Sequence, residues 1–403
     1  MKYVKSLTYL AVAVSLLSGQ SSNAESSSFT EALKEGEVNL SLRARYESVD
    51  QEGVAEDASA LTNRTRLSFK SKSFGHWSLG LELDDVQAVV EDYNSTVNGK
   101  TDHPVVADPE GTDLNQAKLS YKNGSFSSVI GRQRVNIGNQ RFVGGVGWRQ
   151  NEQTYDALLF SNKFSESFTA SLALIENVNR IFGPTGPASD VRGSHQLLAA
   201  NYQVNPNHKL LFTGLTIDPD ETAFSGIAST TMAIDYDGKS DNLNWHIGFA
   251  TQSDSGDNLV DYSADYQNLE LNYKFDGFSL GVGYESLGSD SGNMAFQTPL
   301  ATLHKFQGFA DKFLVTPANG VVDQYIKIGG KLGNFNLKAF YHTLEAEYGN
   351  GEYGTELDLV AAYPIDKNYS LLFKYAAYSG DSNATGAFAA DVDKLWIMFS
   401  ANY

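Results

Sequence analysis

VNLSLRARYES, residues 38–48, alternates without a break: Val38, Leu40, Leu42, Ala44 and Tyr46 fall on one side of an extended chain, and Asn39, Ser41, Arg43, Arg45 and Glu47 on the other. Successive side chains of a strand point to opposite faces, so this stretch reads as a strand with one apolar and one charged face. The division recurs in LTNRTRLSFK (61–70), where Leu61, Leu67 and Phe69 oppose Arg64, Arg66 and Lys70. It returns in FSLGVGYE (278–285), where Phe278, Leu280, Val282 and Tyr284 oppose small or charged residues. About 18 such segments fill the chain from residue 38 to its end.

Ahead of them, Lys2 and Lys5 precede an apolar stretch from Leu7 to Leu17, and Ser22-Asn23-Ala24 supplies small residues for a cleavage site. This predicts a signal peptide over 1–24, a short periplasmic segment over 25–37 and a barrel over 38–403. No later window approaches the roughly 18–20 apolar residues of a helical membrane span. There is no cysteine, which excludes disulfides and thiolate metal sites in a chain expected to leave the cytoplasm. The formal charge is −18, and losing the two signal-peptide lysines takes it to −20. So acidic a chain is not a nonspecific nucleic-acid binder.

A soluble sandwich also alternates, so the connections decide the architecture. Short joins (KNGS at 122–125, NPNH at 205–208, DG at 276–277, LGN at 332–334, PIDKN at 364–368) interleave with long polar ones near 84–113, 138–152, 177–194, 218–229, 252–264, 286–321, 344–354 and 379–391. That asymmetry predicts an all-β, up-and-down antiparallel transmembrane barrel of about 18 strands with short periplasmic turns and long extracellular loops. Phe74, Trp77, Tyr121, Phe126, Phe164, Phe168, Phe275, Phe278, Tyr363 and Tyr369 flank the short turns, as an interfacial girdle does. Asp276-Gly277 suits a two-residue hairpin that sets Tyr273 opposite Leu280 and Leu271 opposite Val282. The chain closes on DKLWIMFSANY, with Leu395, Ile397, Phe399, Ala401 and Tyr403 on one face.

With the apolar face in lipid, the other face lines a lumen. Arg43, Arg45, Arg64, Arg66, Lys118, Arg132 and Arg134 fall on that parity and make one sector basic. Farther along, Glu270, Glu285, Asp323, Glu356, Asp358 and Asp393 alternate with Lys274, Lys327, Lys338 and Lys374. GRQRVNIGNQRFVGGVGWRQ (131–150) holds four arginines, five glycines and no acid. Its glycines and its apolar Phe142, Val143, Val146 and Trp148 predict a loop folded into the lumen that narrows the pore and presents Arg141 and Arg149. FQTPLATLHKFQGFADKFL (296–314) has apolar residues three to four apart, which predicts a short amphipathic helix acting as a lid with His304, Lys305 and Asp311.

GRQRVNIGNQRFVGGVGWRQNEQTYDAL (131–158), TPLATLHKFQGFADKFL (298–314) and EALKEGEVNLSLRARYE (31–47) resemble the alginate-export family of outer-membrane barrels. The resemblance implies an 18-stranded monomeric channel with an arginine-rich, anion-selective lumen that guides a uronate polymer. By position within these motifs it carries a guiding role to Arg43, Arg45, Arg132, Arg134, Arg141 and Arg149. The chain departs from the pattern in the acid load of its C-terminal half and of its second long connection.

Three classes of function compete. The leading expectation is a channel in the outer membrane of a Gram-negative bacterium for anionic solutes, uronate-type or other acidic carbohydrates, lined by Arg43, Arg45, Arg64, Arg66, Arg132, Arg134, Arg141 and Arg149. The alternative is a general diffusion porin with weak selectivity. An enzyme is disfavoured, because H-E-x-x-H is absent and the seven histidines are scattered. No catalytic residue, metal or cofactor is expected, and the acidic DPEGTD (108–113) and SDSGD (253–257) read as solvated loop. The expected partners are an anionic solute or polysaccharide, outer-membrane lipid, and the barrel-assembly machinery through the strand ending at Tyr403.

Overall fold

The computed structural model describes residues 28–403, so the predicted signal peptide lies outside the described residues. A short helix, α1 (Phe29–Lys34), opens the chain, capped by reciprocal hydrogen bonds between Ser28 and Glu31. Eighteen strands follow: β1 (Glu37–Gln51), β2 (Ala58–Lys70), β3 (Trp77–Asp92), β4 (Gly111–Asn123), β5 (Phe126–Gln133), β6 (Thr154–Lys163), β7 (Phe168–Asn179), β8 (Asp190–Asn205) and β9 (His208–Ile217) in the first half. The second half holds β10 (Ser229–Ser240), β11 (Leu243–Asp254), β12 (Ser263–Lys274), β13 (Phe278–Leu287), β14 (Val321–Leu332), β15 (Phe335–Glu345), β16 (Glu352–Pro364), β17 (Tyr369–Gly380) and β18 (Val392–Asn402).

Each strand pairs antiparallel with its sequence neighbours, and β18 returns to β1 with Arg45 opposite Met398 and Ser41 opposite Asn402. The barrel is therefore closed, and no strand is left with a free edge. The Asp276-Gly277 hairpin has the predicted register, Tyr273 to Leu280 and Leu271 to Val282, with Gly277 at φ +85° and the rings of Phe275 and Phe278 stacked at 4.6 Å. Trp77, Tyr121, Phe126 and Phe160 make consecutive ring contacts around the short-turn end. Leu280, Val282, Ile326 and Leu357 stand exposed on the outer wall.

Three sequence expectations change. β3 runs to Asp92, so Asp84, Asp85, Glu91 and Asp92 belong to the wall and the second loop spans 93–110. Asp393 alternates with the buried Val392 and Lys394, which puts it outside, where Tyr375 donates to it at 2.5 Å. Arg132 also projects outward. It pairs across the ladder with Ala117 and Asp156, whereas the neighbouring Gln133 pairs with Tyr155, whose hydroxyl reaches into the lumen. The chain leaves the wall straight after Gln133, so Arg134 enters the lumen without sharing a parity with Arg132.

The two faces of β13 give a direct test. Val282→Arg should destabilise the barrel by about 2–4 kcal/mol in urea titrations in lipid vesicles if it sits near mid-membrane. Ser279→Arg, on the inner face of the same strand, should change the midpoint by no more than an ordinary surface substitution.

Candidate functional site

The lumen is filled by two loops. Residues 134–153, the third loop, and 288–320, the seventh, both turn inward, and every one of the eighteen strands carries at least one buried residue. The loops hold each other: Gly144 N–H donates to Leu300 C=O at 2.9 Å, Thr302 N–H to Gln140 C=O at 3.1 Å, and Val146 N–H to Thr302 Oγ1 at 3.2 Å. A Cβ on Gly144 would lie 2.3 Å from Thr302 Oγ1, so only glycine admits this approach. Phe142 packs on Tyr266 and Phe296, and Tyr155 donates to Gly144 C=O.

The seventh loop contains no amphipathic helix. Leu303–Lys305 is a single 3-10 turn, and Gln307, Gly308 and Asp311 have positive φ, which no α-helix accommodates. Its apolar side chains are spaced to reach separate wall sites. Gly308, at φ +80°, faces the carboxylate of Glu356 where a Cβ would stand 2.3 Å away. The next two amides use that space: Phe309 N–H donates to Asp358 at 3.1 Å and Ala310 N–H to Glu356 at 2.7 Å.

The arginines lie where these loops meet the wall, and most have partners. Arg45 binds Asp108 and donates to Trp148 C=O. Arg66 clasps Asp84 with two bonds of 2.7 and 2.6 Å and reaches Glu152 at 2.9 Å. Arg134 donates to Glu152 at 2.6 Å and also binds Glu82. Arg141, 1% exposed, pairs with Glu285 at 2.9 Å. Arg149 pairs with Glu47 at 3.0 Å and with Asp311 at 3.4 Å. Arg43 donates to Gly147 C=O and Gln150 Oε1, both at 2.9 Å, and to the Arg149 carbonyl. Arg132 is neutralised outside the lumen by Asp156 at 2.8 Å. Arg141 and Arg149 are therefore in the inward loop as expected, but they are spent on the protein's own acids instead of being presented to the pore.

Arg64 is different. It is buried opposite Arg43 and beside Arg66, its Nε has no hydrogen-bond partner, and no carboxylate lies within 4.0 Å of it among the described residues. Toward the short-turn end, Lys118, Lys274 and Lys338 face inward with no carboxylate partner among the described residues, while Lys327 is paired with Glu270 at 2.6 Å. Positive charge without a carboxylate partner thus sits at the adjacent Arg43 and Arg64 and in this lysine-lined vestibule.

The acids that hold the loops were hidden from sequence reasoning because they look like loop decoration. Asp108 of DPEGTD is fully buried; burial pushes its carboxyl up, but Arg45 and Arg149 outweigh that and hold it below the usual range. Glu152 behaves alike, with burial opposed by Arg134 and Arg66 and the carboxyl drawn down to about 2. No group of three or more potential metal ligands occurs among the described residues.

A family model described as alginate export matches residues 35–275. The chain belongs to that family. The match takes in β1 to β12 and the third loop and ends before the seventh. Among solved structures, the barrel is similar to Pseudomonas aeruginosa OpdO (TM-score 0.70, 12% identity, 93% of this chain and 98% of that one). Pseudomonas aeruginosa OccK9 (OpdG) follows at TM-score 0.71 and 16% identity over 92% and 99% of the two chains. Acinetobacter baumannii OccAB2 matches at TM-score 0.71 and 15% identity over 93% and 99%. Identities this low carry the fold and nothing finer. No curated protein matches the chain.

His304, from the expected lid, sits at the centre of the loop contacts. Its Nδ1 faces Asp311 at 2.8 Å and its Nε2 faces the Lys374 ammonium at 2.7 Å. An ammonium has only donors, so Nε2 must be the acceptor and Nδ1 carries the proton. Burial agrees, pushing the imidazole down to about 3, while Lys305 beside it is exposed. A histidine held below its ordinary 6.5 favours the docked loop when neutral. That contribution is full above pH 6.5 and is lost as pH falls toward about 3, by up to tenfold per pH unit. ¹⁵N-histidine NMR should therefore show His304 as the neutral Nδ1–H tautomer at pH 6; a doubly protonated ring there would contradict the docked geometry.

Proposed function

We propose that the protein is an outer-membrane channel for anionic solutes, carboxylated carbohydrates of the uronate type among them, and that it acts as a conduit with no catalytic step. The observation that carries this reading is the location of positive charge without a carboxylate: among the described residues Arg64, the adjacent Arg43 and the inward Lys118, Lys274 and Lys338 have none within 4.0 Å, and Arg64 Nε has no hydrogen-bond partner either. A guanidinium without a partner is suited to a carboxylate, which it grips with two parallel bonds. The family, whose model is described as alginate export, supports the same solute class. The outer membrane is the expected site for a closed barrel with an apolar outer belt. The short turns and the lysine vestibule then face the periplasm.

The charge-balanced belt of arginines favours one competing reading, a general diffusion porin with weak selectivity. The two readings separate in planar bilayers. Replacing Arg64, Lys118 and Lys338 together by glutamine removes three charges and keeps polar bulk, so the reversal potential under a salt gradient should move toward cations. The shift should shrink in high salt, since the Debye length falls from about 10 Å at 0.1 M to about 3 Å at 1 M. An oligogalacturonate should block the parent current more strongly than that of the triple variant, and a neutral oligosaccharide of equal length should block both alike. Unchanged selectivity and unchanged block in an assembled variant would establish the general porin.

A further inference from the structure

Lys374, on the inner face of β17, is a buried ammonium with no carboxylate within 4.0 Å among the described residues. Aromatic rings surround it instead: its Nζ lies 3.2 Å from the ring centre of Phe309, 4.3 Å from Trp148 and 5.3 Å from Trp396. Its hydrogen bond goes to His304 Nε2. The rings brace each other, His304 stacking on Trp148 at 4.5 Å and on Phe309 at 5.3 Å, with Trp396 edge-on to both His304 and Trp148. The indole N–H groups of Trp148 and Trp396 are buried without acceptors. A buried donor without a partner is costly, so these indoles are held for the faces they present to the ammonium and not for their hydrogen bonds.

The members of this box come from three places. Trp148 belongs to the third loop, His304 and Phe309 to the seventh, and Lys374 and Trp396 to adjacent wall strands. An ammonium over aromatic faces is the arrangement by which proteins bind organic ammonium ligands, and here the chain supplies the ligand itself.

We propose that Trp148, Phe309, Trp396 and His304 form an ammonium-binding cage occupied by the tethered Lys374, and that this occupancy latches both loops to the β17–β18 wall and keeps the lumen filled. The inference rests on the channel reading above. It adds a site for a primary alkylammonium, and it places the release point of the two loops on this side of the barrel. The ion pairs Arg66–Glu152, Arg134–Glu82 and Arg141–Glu285 tie the third loop to β2, β3 and β13.

The test uses the full-length protein in planar bilayers with Lys374→Ala, Lys374→Met and Phe309→Leu, each first checked for heat-modifiable assembly. Lys374→Ala empties the cage and should raise the open fraction at least about tenfold. Ethylammonium should return the alanine variant toward the closed state in a saturable manner, and ethanol at equal concentration should not. Lys374→Met keeps the bulk without the charge and should open like the alanine variant. Phe309→Leu alters only a loop residue, so it tests the cage where a wall substitution impairs assembly, and it too should open. A Lys374→Met or Phe309→Leu channel as closed as the parent, or an alanine variant indifferent to ethylammonium, overturns the latch. The reversal potential of the open state, read from the same records, reports separately on anion preference, so the two readings fail independently.

Discussion

A peptide group facing hydrocarbon has no water to bond, and leaving it unpaired costs several kcal/mol. In this chain the constraint is met by one contact, the ladder from β1 to β18, which joins the ends of an otherwise open sheet. Once the sheet is closed, side-chain direction is set by parity alone. Leu40, Leu42 and Tyr46 go to the outer surface, while Arg43, Arg45 and Glu47, one residue away in each case, all point into the interior. The concentration of charge in the lumen follows directly from closure.

The second consequence is electrostatic. When the third and seventh loops fill that interior, water is displaced from charges that cannot leave the wall, and breaking a buried pair by removing one partner costs about 3–5 kcal/mol. The loops therefore carry counter-charges to the places where they dock. Asp108 of the second loop and Arg149 of the third meet Arg45 and Glu47, Glu152 meets Arg66, Arg134 meets Glu82, and Arg141 meets Glu285. Charge is left uncompensated mainly toward the short-turn end, beyond the loops. The lumenal charges thus divide into a set that holds the loops and a set exposed to a passing ion.

Much of this was legible in sequence. The alternation of residues 38–48, the Asp276-Gly277 hairpin and the glycine-rich, arginine-rich inward loop follow from periods and turn chemistry that act locally. What failed did so where local rules lose authority. Arg132 and Arg134 look like one face of a strand, but parity holds only while the chain stays in the ladder, and it leaves after Gln133. Asp393 shares its face with Leu395 and Ile397, and its charge suggested the lumen against its own parity. The 3–4 spacing in residues 296–314 arises from anchor points on a curved wall, and positive φ at Gln307, Gly308 and Asp311 breaks any helix. The cage around Lys374 was beyond reach, since its members are separated by more than two hundred residues and meet only once the barrel has closed.

A lumen filled by charge-matched loops need not be sealed against charged solutes. On the anion-channel reading, a solute carboxylate that reaches Arg64 stands beside Arg66, whose partners are Asp84 and Glu152. Exchanging Glu152 for the solute leaves the number of ion pairs unchanged, whereas a neutral solute making the same intrusion would strand a guanidinium. Glu152 belongs to the third loop, and that loop is tied through Gly144 and Thr302 to the seventh. Displacement at one arginine is therefore transmitted to both loops. The buried arginines then favour anions through the cost of the alternatives, even though all of those described but Arg64 are paired or hydrogen-bonded in the closed state. Selectivity of this kind depends on which partner can be replaced, and it is strongest for ligands that reproduce the planar, two-oxygen geometry of the side chain they displace.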